Sequence, residues 1–504
     1  MKLNEFPEDI RRYLIPEPSG SMFYRCLRCR GEFDIDTLLY TCPSCGGIML
    51  LYHKETGEIK NIEANLWRRI FDYRRMLNLD PIKGIFRYYE FIAPVIPLES
   101  ILYLGEAHTP LVIANQNLES AAGGPFYFKN EGLSPSLSFK DRGMACALSF
   151  LNYLAKKKNI KNLLTICAST GDTSASGALY SAYLTDLVKS AVLLPKGKVT
   201  MQQLSQPLGS GAIVLEMPGV FDDCMKVVEE LSEKYNVALL NSKNSWRILG
   251  QESFAFEIAQ DFDYQVADKV VVVPIGNAGN ITAIINGFLK FLKARIIHEL
   301  PKIIGVQSDH ADPVYRYYLE DDPSRRQFEP VTVKASVAQA AMIGNPVSMP
   351  RVIDLVREYN QAAGQKRIFF VQVTEQEIMD AMIIANRNGH IACTQGGGSM
   401  AGFIKAKKGG LVSKGEIGIL DATAHVLKFS SFQEMYLANR FPPEFEIKPR
   451  KEFKNTPVSV QPKDLKKLPQ AGRPLQGKDL DNFIKASVEE IAKILDLKKI
   501  GDVS

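Results

Sequence analysis

From about residue 100 to residue 425 the chain repeats one pattern: a short, mainly apolar run, a turn bearing small residues, and a segment of helical length. The runs are Asn162 to Cys167, Ser190 to Leu194, Ala212 to Leu215, Val237 to Leu240, Lys269 to Ile275, Lys302 to Val306, Arg367 to Val373 and Glu416 to Leu420. A strand apolar at consecutive positions is buried on both faces, whereas a strand with one wet face alternates. Buried strands separated by helices specify an α/β fold built on parallel sheets. Thr374 to Glu377 has the spacing of a capping box and predicts a helix start after the Arg367 run. Ligands of such folds bind beyond the carboxyl ends of the strands, so the turns after the runs are where chemistry is expected.

One of those turns, Gly276-Asn277-Ala278-Gly279-Asn280, closes the run Val272-Val273-Pro274-Ile275. Small residues there would bring backbone N–H groups to a helix N-terminus, a favourable place for a phosphate. About 130 residues earlier stands Ser138-Phe139-Lys140-Asp141-Arg142-Gly143. Its lysine, flanked by the apolar Phe139 and opening the small-residue helix Gly143-Met144-Ala145, can form a Schiff base and later move protons. A cofactor with an aldehyde at one end and a phosphate at the other would join the two segments, and pyridoxal 5'-phosphate fits that description. Ser169-Thr170-Gly171-Asp172-Thr173 has the form of a second anion-holding turn, suited to a substrate carboxylate; plain helix capping accounts for it equally well. Thr423, after the run Glu416 to Leu420, could meet the pyridine nitrogen or cap a helix.

The eight cysteines divide into two groups. Cys146, Cys167, Cys224 and Cys393 lie among apolar or small neighbours and read as buried thiols. Cys26-Leu27-Arg28-Cys29 and Cys42-Pro43-Ser44-Cys45-Gly46-Gly47 form two Cys-x-x-Cys knuckles. Such a pair can place four thiolates tetrahedrally about one Zn2+ ion, and four sulfurs leave no open position, so the metal would be structural.

The 504 residues suffice for one large core or two medium ones, and a net charge of +5 gives no reason to expect nucleic acid as a partner. No apolar run approaches the roughly 20 residues that span a bilayer, and the N-terminus lacks a secretory core, so a cytoplasmic protein with no membrane partner is expected. Residues 1–20 read as an irregular lead-in, 20–52 as the ribbon and 61–95 as aromatic helical docking segments. The division expected is 1–60 for the N-terminal segment with its ribbon, 61–440 for the catalytic α/β domain and 441–504 for an extension. In that extension Ile484, Val488, Ile491 and Leu495 recur at helical spacing over Asp481 to Lys498, suited to packing on the body or on a partner subunit.

Taken together these segments resemble the threonine synthase family, pyridoxal phosphate enzymes of the tryptophan synthase β-like fold (fold type II). Ser134-Pro135-Ser136-Leu137-Ser138-Phe139-Lys140-Asp141-Arg142-Gly143 is similar to that family's Asn-Pro-Thr-Gly-Ser-Phe-Lys-Asp-Arg-Gly. Leu104-Gly105-Glu106-Ala107-His108-Thr109-Pro110-Leu111, Gly276 to Thr282 and Ile343 to Ser348 match further family segments, and many members open with a Cys-x-x-Cys ribbon. The resemblance implies that Lys140 carries the cofactor, with Phe139, Asp172, Gly276, Asn277, Ala278, Gly279, Asn280 and Thr423 around it. It also implies that Ser169, Thr170, Gly171 and Thr173 hold the substrate's carboxylate, and that Lys198, Asn244 and Arg247 grip its phosphate. The substrate implied is O-phospho-L-homoserine, a small phosphorylated amino acid, and the product L-threonine. Relatives of this kind are commonly dimeric, so a homodimer is left open.

The chain departs from the pattern on the substrate side. Asp172 stands where the zinc-ribbon branch usually has Asn, and Gln203 where a second Lys is common. Thr394-Gln395-Gly396-Gly397-Gly398-Ser399 replaces the Glu-Pro-Ala-Ser run, and Thr-Ala-His-Val-Leu-Lys at 423–428 replaces Thr-Gly-His-Gly-Leu-Lys. A paralogous β-replacement enzyme acting on O-phosphoserine, as in cysteate synthase, is the nearest rival reading. A threonine or serine dehydratase and a ribbon-dependent binding protein are more distant ones.

Overall fold

The computed structural model describes residues 1–54, 62–169, 171–196, 201–219, 221–465 and 467–500, with backbone alone at 201–203 and 221–222. Two parallel sheets carry the fold. The larger, of six strands, runs in the order β12 (Ile368–Val373), β11 (Lys302–Ser308), β10 (Lys269–Pro274), β13 (Ile417–Ala422), β5 (Phe126–Asn130), β4 (Leu111–Ile113). All its pairings are parallel except the edge pair of β4 with β5. The smaller sheet has the order β8 (Ile213–Met217), β7 (Val188–Pro195), β6 (Leu163–Ala168), β9 (Val237–Leu239), all parallel.

The apolar runs become these strands for the anticipated reason. Val270 to Val273, at the centre of the large sheet, are wholly buried. One strand differs: Ala212 to Leu215 reads as buried, yet β8 is the edge of the small sheet and exposes Ile213 and Leu215. Another strand escapes the apolar pattern. β5 lies between β13 and β4 but ends in Lys129 and Asn130, both buried, so its apolar part is too short to stand out.

The first twenty residues are more ordered than their sequence suggests. They contain α1 (Glu8–Leu14), which buries Ile10 and Leu14 and carries acids in its first turn and arginines in its last, the arrangement the helix dipole favours. The segment then enters a three-stranded antiparallel ribbon of β1 (Ser21–Cys26), β2 (Glu32–Asp34) and β3 (Met49–Lys54). Next, α2 (Ala64–Met76) buries Trp67, Ile70, Phe71 and Arg74, one helical face, as the aromatic composition predicts. Phe71 stacks on Phe291 of the body, with ring centroids 5.8 Å apart. Arg74 makes a two-pronged bond to Glu90, 2.7 Å at each prong, and donates to Leu14 O.

Residues Met1–Tyr436 with Phe441–Lys448 form one compact unit, and Leu437–Arg440 with Pro449–Ser504 form a second. The second unit contains one long helix, Gly477–Ile494, in which no residue is buried. Among the described residues, no helix is long and apolar enough to cross a membrane.

Candidate active site

Lys140 is the first residue of α3 (Lys140–Lys158), whose N-terminus lies where β13 ends. The two are fastened together: Phe139 N donates to Thr423 O at 2.9 Å, and Ser138 bridges Ala424. The half-buried Lys140 ammonium sits 4.0 Å from the centroid of the Phe139 ring. Scarce hydration, reinforced by the positive charge of Arg247, lowers its pKa to about 7; Asp172 and Asp421 act in the opposite direction. The amine is therefore partly neutral near neutral pH, the form that can attack a carbonyl or accept a proton.

The neighbours of Lys140 in the sequence hold it in place. Asp141 accepts from Ser136 N at 2.7 Å, Ser136 Oγ at 2.6 Å and Ser176 Oγ. Arg142 is wholly buried between two carboxylates, Glu131 and Glu257, with nitrogen–oxygen distances of 2.6–2.8 Å. It also donates to Thr109 Oγ1, which ties the Leu104–Leu111 segment into the same network. A buried arginine that pairs with two hydrogen-bonded carboxylates is geometrically fixed, and it anchors the first turn of α3. Gly143 lets α6 (Ser245–Gln251) come close, since a Cβ there would lie 3.0 Å from Arg247 O.

Opposite α3, β10 ends in the Gly276 to Asn280 turn, which opens α7 (Gly279–Lys293). Ala278 adopts the left-handed conformation, with φ at 60°, immediately before the helix. Asn277 is spent on structure: its backbone O accepts from Ser348 N, and its side chain accepts from Val347 N. A Cβ at Gly276 would lie 2.9 Å from Ala341 Cα, and one at Gly279 would lie 3.0 Å from Ile248 Cδ1, so only glycine gives this turn its shape. The first-turn N–H groups of α7 have no partner within the helix and are available to an anion. Asn280 Nδ2 donates to Asp421 Oδ2 at 2.7 Å, which links the turn to β13.

The third strand end is that of β6. Ser169 Oγ accepts from Gly171 N at 3.3 Å, and Gly171 caps α4 (Asp172–Ala182). Asp172 is buried at the first position of that helix, and Thr173 follows half-buried. Arg247 is buried on α6; it donates to Leu240 O at 2.8 Å, and burial lowers its pKa to about 10. Asn244 is the N-cap of α6: its carbonyl accepts from Trp246 N and its amide donates to Leu239 O. Thr170 and Lys198 lie outside the described residues, as does the side chain of Gln203.

Arg247, Asp172, Asp421 and Lys428 all act on the charge of Lys140 at the junction of these strand ends. The cavity of about 480 Å³ beside Arg316, Tyr317 and Glu329 contains none of them. Four buried polar atoms here make no hydrogen bond among the described residues: Asp172 Oδ1, Asp421 Oδ1, Gln395 Nε2 and Arg247 Nε. Native proteins rarely leave such groups unpaired, and a polar ligand would satisfy them. A tight glycine turn at a helix start, a lysine of lowered pKa and unpaired polar atoms together fit pyridoxal phosphate.

Asp421 and Lys428 had no role in the sequence pattern. Asp421 sits at the end of an apolar run, where a buried carboxyl is improbable, and its burial raises its pKa strongly. A charged residue within such a run was the signal available for it.

In the ribbon, Cys26, Cys29, Cys42 and Cys45 place their sulfurs within 4.8 Å of one another. The shortest separations, 3.5 Å for Cys26–Cys45 and for Cys29–Cys42, exceed the bonded distance of about 2.05 Å, so these are thiols and not disulfides. Gly46 has φ of 69°, and a Cβ at Gly47 would lie 2.9 Å from Cys26 Sγ. The second knuckle therefore requires both glycines.

Comparison with known proteins accords with this geometry. Residues 102–420 match the model of the pyridoxal-phosphate dependent enzyme family. Over 410 residues the chain is 37% identical to threonine synthase of Methanocaldococcus jannaschii, covering 81% of this chain and 93% of that one. It is 32% identical over 401 residues to the chloroplastic threonine synthase 2 of Arabidopsis thaliana, covering 79% of this chain and 75% of the relative. The crystal structure of Escherichia coli threonine synthase shares the fold with a TM-score of 0.62 at 22% identity, covering 86% of this chain and 95% of that one. At this identity over most of both chains, the chain belongs to the threonine synthase family of pyridoxal-phosphate-dependent enzymes.

Proposed function

We propose that this chain is a carbon–oxygen lyase that converts O-phospho-L-homoserine and water to L-threonine and inorganic phosphate. The observation that carries the reading is Lys140, kept near neutrality at the junction of three strand ends, in a chain 37% identical to a threonine synthase. When bound, pyridoxal phosphate supplies the electron sink that makes loss of the substrate's carbon-bound protons feasible.

The chain's own residues would do the rest. Gly276 to Asn280 hold the cofactor phosphate through the N–H groups that open α7, and Phe139 and Thr423 flank its ring. Ser169, Thr170, Gly171 and Thr173 hold the substrate carboxylate at the start of α4, beside Asp172. Arg247, whose Nε lacks a partner, binds the γ-phosphate with Lys198, and stabilises it as it departs. Asn244 contributes by capping α6 and so aiming Arg247. Lys140 Nζ, neutral, would take the proton from the α carbon and return one at the end, while a proton lost from the β carbon is balanced by one gained at the γ carbon, which becomes the methyl group. Water adds at the β carbon after phosphate has left, so one phosphate is released for each threonine formed.

We also propose that the four clustered cysteines hold one Zn2+ ion. A tetrahedron with Zn–S bonds near 2.3 Å has sulfur–sulfur edges of about 3.8 Å, close to the spacing of the cluster.

The deciding assay offers O-phosphohomoserine in one vessel and O-phosphoserine with sulfite in another, with phosphate and amino acids both quantified. Equimolar phosphate and threonine from the first, and no turnover of the second, is the expected result. Turnover of the second alone would overturn the reading.

A further inference from the structure

Lys428 lies in the short helical turn Val426–Phe429 that follows β13, on the large-sheet side of the junction. Its side chain is nearly buried, and its ammonium reaches three acceptors. Nζ donates to Ser136 O at 2.8 Å and to Gln206 Oε1 at 2.8 Å, and lies 3.2 Å from Asp172 Oδ1. Gln206 Nε2 donates in turn to Ser136 O at 3.2 Å. Two of the ammonium's three N–H donors are thus spent on hydrogen bonds within the protein, and its charge is paired with Asp172.

The three acceptors belong to different parts of the fold. Ser136 stands in the segment that delivers Lys140. Asp172 opens α4, after strand β6 of the small sheet. Gln206 is on α5 (Met201–Gly209), between β7 and β8 of the same sheet. One lysine therefore ties two helices of the small sheet to the loop and strand end of the large one.

We propose that Lys428 is a positioning residue: it locks the first turn of α4 and the helix α5 against the Lys140 segment, and so fixes the small sheet's contribution to substrate binding. Gln206 has no charge of its own and is met by a cation from across the junction, and Asp172 provides the matching negative charge.

Amide hydrogen exchange on the cofactor-loaded protein without substrate tests this directly. In K428M, residues 172–175 and 204–209 should exchange at least about tenfold faster, while Gly279–Lys293 stays unchanged, because charge-assisted bonds of this kind are worth at least that factor. Q206L should speed the same two segments less, and the double variant should be no faster than K428M alone. Uniform acceleration across the protein, no acceleration, or fully additive effects would each overturn the proposal. If K428M does not fold, Q206L carries the test, and its failure to loosen both segments is decisive.

A kinetic arm rests on the reaction proposed above: K428M should lower kcat/KM for O-phosphohomoserine by about tenfold or more at unchanged cofactor content. An unaltered kcat/KM would overturn the positioning role. Because the exchange arm involves no substrate, a wild-type protein inactive on O-phosphohomoserine would refute the reaction and leave the lock to be judged separately.

Discussion

Replacing Lys140 by methionine should make the cofactor-free protein more stable at acid pH and leave its stability nearly unchanged at alkaline pH. The native surroundings lower the lysine's pKa from its usual 10.5 to about 7. At 1.36 kcal/mol per pH unit this corresponds to about 5 kcal/mol, and solvent reaching the half-buried amine reduces it to about 2–4 kcal/mol. The sign follows from which state binds the proton. Below about pH 7 both native and unfolded chains carry the ammonium, and the native state bears its full desolvation cost. Between about 7 and 10.5 the native lysine loses its proton while the unfolded one keeps it, so stability rises with pH. Above that range neither is charged and the cost vanishes. Urea midpoints of the cofactor-free wild type and K140M, taken at about pH 6, 8 and 10, measure the gap, which should shrink steadily. A gap that stays constant with pH would refute the electrostatic account of this lysine.

Other substitutions test the remaining parts of the junction. R247A should raise KM for the phosphorylated substrate more than about tenfold at normal cofactor loading, because it removes a charged phosphate contact; loss of the cofactor absorbance would contradict that role. G276A should weaken retention of cofactor and of free pyridoxal phosphate in equilibrium dialysis, since its Cβ would come 2.9 Å from the Ala341 backbone. Removing metal by chelation should lower the melting temperature, because the ribbon that docks against the body would lose its cross-link, and unchanged melting would count against zinc.

Some of this was readable in the residues and some was not. The β10 run and its glycine turn were, because a strand apolar at every position followed by Gly-Asn-Ala-Gly-Asn suits little besides a buried strand feeding a tight turn. The clustering of the four cysteines was, because two Cys-x-x-Cys knuckles anticipate the four sulfurs that lie within 4.8 Å of one another. The Arg142 network was not: Glu257 is 115 residues away, neither it nor the nearer Glu131 belongs to a recognisable spacing, and charged residues read locally as a solvated surface. Lys428 escaped for the same reason, since only folding brings Ser136, Asp172 and Gln206 to its ammonium. β8 reads as a core strand because an apolar pattern reports burial in a strand without saying which strands lie at an edge. The helix at Glu8–Leu14 carries two buried residues, too few to register as a periodicity.

The claim on which the rest depends is that one amine, Lys140 Nζ, holds the cofactor. Borohydride treatment of the loaded protein, followed by peptide mass analysis, addresses it most directly. A phosphopyridoxyl group on the peptide bearing Lys140, and on no other lysine, is the predicted result. A modification at a different lysine, or none in a protein that retains its colour before reduction, would contradict it.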